Sequence, residues 1–404
     1  MAVRCTWTCS RSSDPNRALQ ETFQQLQRKI GTRPLIGGVM YSTVDLDPGA
    51  IQRALARHSP VCKVIGATSC LGVGTPEGFQ TGGPVLAGWW LFGTGVRWGT
   101  AFVPKGARDG ETIGRQLVQE ALNDAQLSPT EVRWMIIHGT PGKEEAILRG
   151  IYTVVDHSVP IIGGSAGDND LSGQWHVWTT EHSGMDGVSL AVCDWPWRFG
   201  VSYYSGYTAT QYKGTVTRVQ GRVLYEIDGR PAAEVYNEWL SGQLDRYLQE
   251  GGNVLGVTTL QPLGVARGQS AGAPIYVLVH PERVLPDEGA LTLFAEVYRG
   301  EEVVLMRSSQ LSLVQRAQQV SERALSVGNM EPQDVIGGLL IYCAGCMLAI
   351  QDRVDEMLYR FEQAVAGAPF VAAFTFGEQG CVLPRQFDHG NLMVSTLLLS
   401  DRPV

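Results

Sequence analysis

One pattern of apolar spacing returns three times along this chain, and it limits the possible folds more than any other feature. After "SDP", where Ser13 or Asp14 can cap and Pro15 can open a helix, Leu19, Phe23, Leu26 and Ile30 recur at four, three and four residues, one apolar helix face. A strand-like run "PLIGGVMYS", a short helix "AIQRALARH" and a second strand "PVCKVIGATSC" follow. The runs "GPVLAGWWLF" and "VRWGTAFV" then read as hairpin partners.

The order repeats. Ile113, Leu117 and Ala121 share a helix face ahead of the strand "VRWMIIHGT". Ile147, Ile151 and Val154 share the next, ahead of "VPIIGGSAG", with "GVSLAVCDW" and "FGVSYYSGY" as the hairpin. Near the C-terminus Leu313, Ala317, Val320 and Ala324 precede "DVIGGLLIYCAG". Val354, Leu358, Phe361 and Val365 precede "APFVAAFTFGEQG", and "NLMVSTLLLS" is the last strand. This alternation predicts an α/β fold with mixed parallel and antiparallel sheets covered by helices, built from three related helix-strand-helix-strand-hairpin units. A different region, "GTVTRVQGRVLYEIDGRPAAEVYNEWL", separates the second and third units and reads as strand, turn, strand, turn, helix. A domain joint is expected near Gln220, dividing the chain into 1–220 (two units) and 221–404 (connector, strands and third unit).

At 404 residues and 44% hydrophobic content, the chain can bury more than one core. Its net charge of -8 and the lack of a basic stripe argue against a nucleic-acid partner. The N-terminal "MAVRCTWTCSRSSDPNRAL" has no signal-peptide apolar core. The most apolar run, "VIGGLLIYCAGCMLAI", is shorter than a membrane span, so no membrane segment is expected. The eight cysteines lie scattered in apolar segments rather than in a disulfide framework, which fits a reducing cytoplasm.

The ordered set "VPIIGGSAGDN", "VTRVQGRVLYEIDGRPAAEVY", "IYCAG", "FTFGEQG" and "HGN" resembles the FIST family, with its N-terminal and C-terminal FIST domains, over most of the chain. The resemblance implies an intracellular signal-transduction sensor that binds a small ligand, an amino acid or similar metabolite. It also implies, as an alternative, a haem-binding nitric oxide sensor. With no signalling module in the sequence, the output of such a sensor is expected to pass to a separate partner, a kinase or cyclase acting in trans. A basic residue often follows the "CAG" turn in the family; Cys346 stands there in this chain, which weakens the expectation of an anionic group bound at that corner.

In open α/β sheets ligands collect beyond the carboxyl ends of parallel strands. Those ends carry Ser42, Ser69, His138, Ser165, Cys343 and Glu378. Gly163, Gly164 and Gly345 keep the backbone accessible, and Asp168, Asn169 and Asn391 add hydrogen-bonding groups, so these residues form the candidate ligand site. Helix N-termini after "MYS", "IHGTPG" and "YCAG" suit a ligand carboxylate, and Glu378 a ligand ammonium. The competing readings are an ordinary turn for "GGSAGDND" and a structural ion pair of Glu378 with Arg385 or Lys143.

Cys343 and Cys346 have the spacing of a metal or redox pair, which Cys381 and His389 would complete to a set of four. The apolar strand around Cys343 and the lack of a second close pair make them buried free thiols, and no metal site is expected. For haem the candidate ligands are His138, His157, His280 and His389, and no Cys-x-x-Cys-His attachment motif occurs. Gly163-x-Ser165-x-Gly167 satisfies the spacing of a hydrolase nucleophile turn, but a turn and strand follow it where a helix is required, so no catalytic residues are assigned.

Overall fold

The computed structural model describes residues 2–270, 272–383 and 385–404. Three units of the same plan follow one another. Each runs strand, helix, strand, helix, strand, strand, and within each sheet the order is first, last, second, third. In the first unit these four strands are Arg4–Ser10, Leu86–Phe92, Leu35–Ser42 and Val64–Thr68. In the second they are Trp98–Pro104, Gly187–Cys193, Trp134–Gly139 and Ile161–Ser165. In the third they are Trp197–Tyr204, Val394–Pro403, Val335–Cys343 and Phe370–Thr375. The second and third strands pair in parallel, and the other two pairings are antiparallel, in all three units.

The helices start where short polar side chains can take up free N–H groups. Asp14 accepts from Arg17 ahead of helix Pro15–Ile30, Asp109 from Thr112 ahead of Gly110–Ala125, and Ser309 from Ser312 ahead of Gln310–Gly328. Each helix lays its apolar face on the outer side of its own sheet. Leu19, Leu26 and Ile30 pack with Trp90; Ile113, Leu117 and Ala121 with Leu190; Leu313, Ala317 and Val320 with Leu398. The inner faces of all three sheets meet in one shared core holding Val39, Ile65, Ile136, Ile162, Leu339 and Val371. Strands buried on both faces explain why these segments read as continuous apolar runs rather than as alternations.

The expected hairpins do not form. Leu86–Phe92 closes the first sheet while Trp98–Pro104 opens the second, and Gly187–Cys193 and Trp197–Tyr204 divide between the second and third sheets in the same way. Each short connection is a crossing between units. The strand before it is needed at the centre of one sheet, and the strand after it at the edge of the next.

A second departure concerns the short ribbons that follow each third strand. None of them joins its own sheet. The ribbon Gly72–Thr75/Gly78–Thr81 of the first unit pairs with Phe370–Thr375 of the third. Val177–Thr179/Ser183–Gly184 of the second pairs with Val64–Thr68 of the first. Glu378–Leu383/Gln386–Gly390 of the third pairs with Ile161–Ser165 of the second. The three six-stranded sheets are thereby tied in a closed cycle.

Residues 208–307 interrupt the third unit between its first strand and helix Gln310–Gly328. They form a nine-stranded sheet with its own core of Val216, Leu224, Tyr236, Leu263, Leu291 and Leu305. The joint expected near Gln220 falls at the end of strand Thr208–Gln220 within this sheet. No helix among the described residues is long and apolar enough to cross a membrane.

Candidate functional site

The three third strands converge at their carboxyl ends, and backbone hydrogen bonds close the meeting point. Gly167 N–H donates to Thr68 O (3.0 Å), Cys70 N–H to Phe374 O (2.9 Å), and Phe376 N–H to Ser165 O (2.9 Å). Each bond crosses from one unit to another, so the ring repeats the cyclic order of the ribbons.

The predicted site residues gather around the ring, and most satisfy the backbone there. Ser69 donates to Gly72 O (2.6 Å) and accepts from Phe374 N–H (2.9 Å). Asp168 accepts from the N–H groups of Leu171, Gly173 and Gln174, shaping the loop before the second ribbon. Asn169 accepts from Leu71 N–H, and Asn391 from His280 N–H. Gly163 and Gly164 pair with Gln379 and Glu378 of the third ribbon. A side chain on Gly164 would overlap Thr375, with its Cβ 2.6 Å from that residue. Gly345 sits against Leu392 beside Cys343. Ser42 is fully buried, with no partner for its hydroxyl among the described residues.

Glu378 is fully buried. Thr375 donates to one carboxyl oxygen (2.8 Å) and Met393 N–H to the other (3.0 Å). Burial pushes its pKa up to about 8, against the lowering hydrogen bond from Thr375. Among the described residues neither Arg385 nor Lys143 pairs with it: Arg385 lies by Asp156, and Lys143 bonds the carbonyls of Gly106 and Arg108. A native carboxyl with a raised pKa keeps a proton that the unfolded chain has already lost, so its contribution to stability falls as pH rises from about 4.5 to about 8. Glu378→Gln is therefore expected to gain stability relative to the parent across that window. Urea midpoints of both proteins at the two ends of the window check this, and a difference that does not grow with pH would sink it.

His138 cannot serve as a haem ligand. It is fully buried; Nδ1 donates to Gly164 O (3.1 Å), and Nε2 accepts from the Tyr41 hydroxyl (3.0 Å). Burial holds its pKa at about 4. His280 is buried against Thr258, with its pKa at about 3 from desolvation, and His157 lies against Tyr152 and Phe387. His389 lines a cavity walled by charges of both signs rather than a flat apolar slot. The surroundings of these four histidines do not fit a haem.

Ser165 leads outward. Its hydroxyl donates to Glu144 Oε1 (2.9 Å) and accepts from Gln379 Nε2 (3.3 Å), which also contacts His389 Nδ1 (3.0 Å). No histidine among the described residues bonds Ser165, and no helix follows its strand directly, so the arrangement lacks the two features of a Ser-His nucleophile elbow. Glu144 and the adjacent Glu145 share one guanidinium group: Arg222, from the inserted sheet, donates to both at 2.7 Å. Burial opposes ionisation of Glu144, yet Arg222 holds its carboxyl well below the usual carboxylate range. Both glutamates stand at the start of helix Glu144–Ile151, where negative charge also meets the positive end of the helix.

This network borders a cavity of about 280 Å³ where three parts of the chain meet. Helix Glu144–Ile151 contributes Glu145, Leu148 and Arg149; the third ribbon contributes Val382, Phe387, Asp388 and His389; the inserted region contributes Arg267 and Tyr298. Arg267 forms ion pairs with Glu301 and, through its Nε, with Asp388 (2.9 Å). Arg149 faces Glu111 and Glu296. Phe387 stacks on Tyr152, their ring centroids 3.6 Å apart, and gives the cavity an apolar side. Gln379 Oε1, buried next to His389, has no partner among the described residues. Of these cavity residues the sequence singled out only His389. The pair "EE" at a helix start was the one further signal available; Arg267 and Tyr298 arrive from a distant segment and carry none.

Solved structures with resemblance to this chain include the cyanuric acid hydrolase from A. caulinodans, 8% identical with a TM-score of 0.38, covering 98% of this chain and 99% of that one. A second cyanuric acid hydrolase is 9% identical with a TM-score of 0.35, covering 99% and 100%. An uncharacterised protein of Methanocaldococcus jannaschii is 27% identical over 158 residues, which is 37% of this chain and 30% of that protein. The FIST N domain matches residues 36–230 and the FIST C domain residues 232–381. With nearly the whole length so matched, the chain belongs to the FIST family, whose domains are associated with signal-transduction sensors.

Proposed function

We propose that this protein is a cytoplasmic sensor of an amino acid or similar zwitterionic metabolite, bound in the cavity between helix Glu144–Ile151, the third ribbon and the inserted sheet. The observation that carries this reading is the pairing of charges in one small cavity: Glu145 and Asp388 suit an ammonium group, and Arg149 and Arg267 suit a carboxylate. Leu148, Val382 and Phe387 offer the apolar surface a ligand side chain needs. The free state of all eight cysteines supports a reducing compartment.

Binding would be passed on through Arg222. It joins Glu144 and Glu145 at the cavity rim to the start of strand Val223–Ile227, and so to the strand-turn-helix segment 223–236. A separate partner, such as a kinase or cyclase, would read the change.

Calorimetry against a panel of amino acids tests the ligand class. A binder is expected, with affinity reduced roughly ten- to hundredfold by Arg149→Met or Asp388→Asn, the loss expected for one charged hydrogen bond. Folded protein that binds no member of the panel overturns the ligand class. Hydrogen exchange tests the route: with ligand bound, protection that stops at the cavity and leaves 223–236 unchanged counts against transmission through Arg222.

A further inference from the structure

A chain of hydrogen bonds runs from the Arg222 ion pair to the cavity, and its direction follows link by link. Glu144, paired with Arg222, is a carboxylate and can only accept. Its Oε1 takes a bond from Gly142 N–H (2.8 Å) and lies 2.9 Å from the Ser165 hydroxyl, so the single Ser165 proton points to Glu144. Ser165 Oγ is then an acceptor toward its other neighbour, the Gln379 amide at 3.3 Å, and the amide faces it with its nitrogen. The same nitrogen stands 3.0 Å from His389 Nδ1. An amide nitrogen only donates, so Nδ1 offers its lone pair, and in the neutral ring the proton sits on Nε2.

Sheet register holds the chain in place. Gln379 and His389 stand opposite each other on the two strands of the third ribbon, and Gln379 is also opposite Gly163, two residues before Ser165. Ser165 is fully buried, and Gln379 and His389 are each 2% exposed. Gly377 leaves the imidazole its room, since a Cβ there would lie 2.6 Å from His389 Cε1. Gln379 Oε1 is buried with no partner among the described residues, which is unfavourable. The amide is therefore oriented by the bonds of its nitrogen to Ser165 and His389, and not by any bond to its own oxygen. His389 lines the cavity, and its Nε2 bonds no described residue.

We propose that His389 is a ligand-binding residue that presents an Nε2–H donor to the carboxylate of the bound amino acid, and that Gln379 and Ser165 are positioning residues that fix this tautomer. The proposal rests on the amino-acid reading of the cavity and adds an orientation to it. The carboxylate end lies at the ribbon wall, where His389 joins the arginines as a donor, and the ammonium is left to Glu145 and Asp388. An N–H at this wall gives an ammonium group nothing to bind, so an amine without a carboxylate is disfavoured. His138 shows the opposite state: its Nδ1 donates to Gly164 O, and its Nε2 accepts from Tyr41.

The test uses the full-length protein labelled with ¹⁵N-histidine and long-range proton–nitrogen correlation spectra. In the free parent, His389 is expected to show the Nε2–H pattern and His138 the Nδ1–H pattern. Loss of signals in His389→Leu assigns the first. Glu144→Gln supplies a donor at the far end of the chain and lets it reverse, so His389 Nδ1 is expected to move toward the protonated range while His138 stays. That shift also makes the assignment should His389→Leu fail to fold. Each amino acid of the calorimetric panel is then added. The binder is expected to move the His389 Nε2–H signal and to bind His389→Leu roughly tenfold more weakly. A parent with the His389 proton on Nδ1 overturns the tautomer assignment. An amino acid that binds while the His389 signal stays unmoved overturns the carboxylate seat. A panel without a binder overturns the amino-acid reading and the seat together, and the spectrum of the free protein, which needs no ligand, still decides the tautomer.

Discussion

Arg222→Ala is expected to destabilise the folded protein by about 3–5 kcal/mol, the cost of leaving buried charge without its partner. The arginine donates to Glu144 and Glu145, whose side chains are only 6% and 9% exposed, and no second cation among the described residues is ion-paired with either. Removing the guanidinium leaves two adjacent carboxylates in a poorly solvated place, where they repel each other. Adding Glu144→Gln to the variant removes one of the repelling charges and is expected to recover part of the loss. Chemical unfolding measures this. Because the chain holds several cores, the first transition is the one to follow. A loss below about 1 kcal/mol would assign Arg222 to the class of weak surface pairs. The pH dependence has a fixed sign. Glu144 is depressed in the folded state, so its contribution is fully present above the ordinary value of 4.5 and is lost as pH falls through the folded value. Arg222→Ala is expected to remove that acid-side decline.

Gly163→Ala is expected to cost at least as much, about 4 kcal/mol or more, by a different route. A Cβ built on Gly163 lies 1.8 Å from the carbonyl oxygen of Ile137, which is backbone of the neighbouring parallel strand and cannot swing aside. The change must part Trp134–Gly139 from Ile161–Ser165, and with them the seat of the third ribbon. Gly256→Ala is the control: exposed, with open space around its Cβ, it is expected to stay within about 0.5 kcal/mol of the parent. Circular dichroism melts of the two variants separate the cases, and equal behaviour would show that the strand pair yields more easily than its geometry implies.

The sequence made the three units visible because each is carried by local periodicity. Residues such as Leu117 and Ile147 mark helix faces whatever they pack on, and long apolar runs such as "GLLIYC" mark strands covered on both sides. Partner choice was not local. Leu86–Phe92 and Trp98–Pro104 adjoin in sequence, and adjacency favoured a hairpin, while their actual partners lie far off in the chain. The exchanged ribbons were hidden for a related reason: short segments such as "GVGTPEGFQT" have weak strand character alone and gain it from a sheet in another unit. At the site, Ser165 ends its strand, whereas Glu378 begins the ribbon strand Glu378–Leu383 rather than closing Phe370–Thr375, and the glycine-and-polar signature there serves mainly to seal three converging backbones. The cavity beside them draws Glu145, Arg267 and Asp388 from three segments, and no spacing rule connects those.

The exchange of ribbons also sets an order of completion during synthesis. The first sheet emerges from the ribosome with an open edge that stays bare until 177–184 are made, while its own ribbon, 72–81, waits for Phe370–Thr375 near the far end of the chain. Bare edges and unseated ribbons recruit other chains, and contacts this distant in sequence form slowly. A neighbouring copy at the same stage presents an identical edge, so a ribbon can seat on the wrong molecule with the same hydrogen bonds. Crowded refolding is then expected to yield interlocked oligomers whose share rises with protein concentration, the signature of swapped rather than damaged chains.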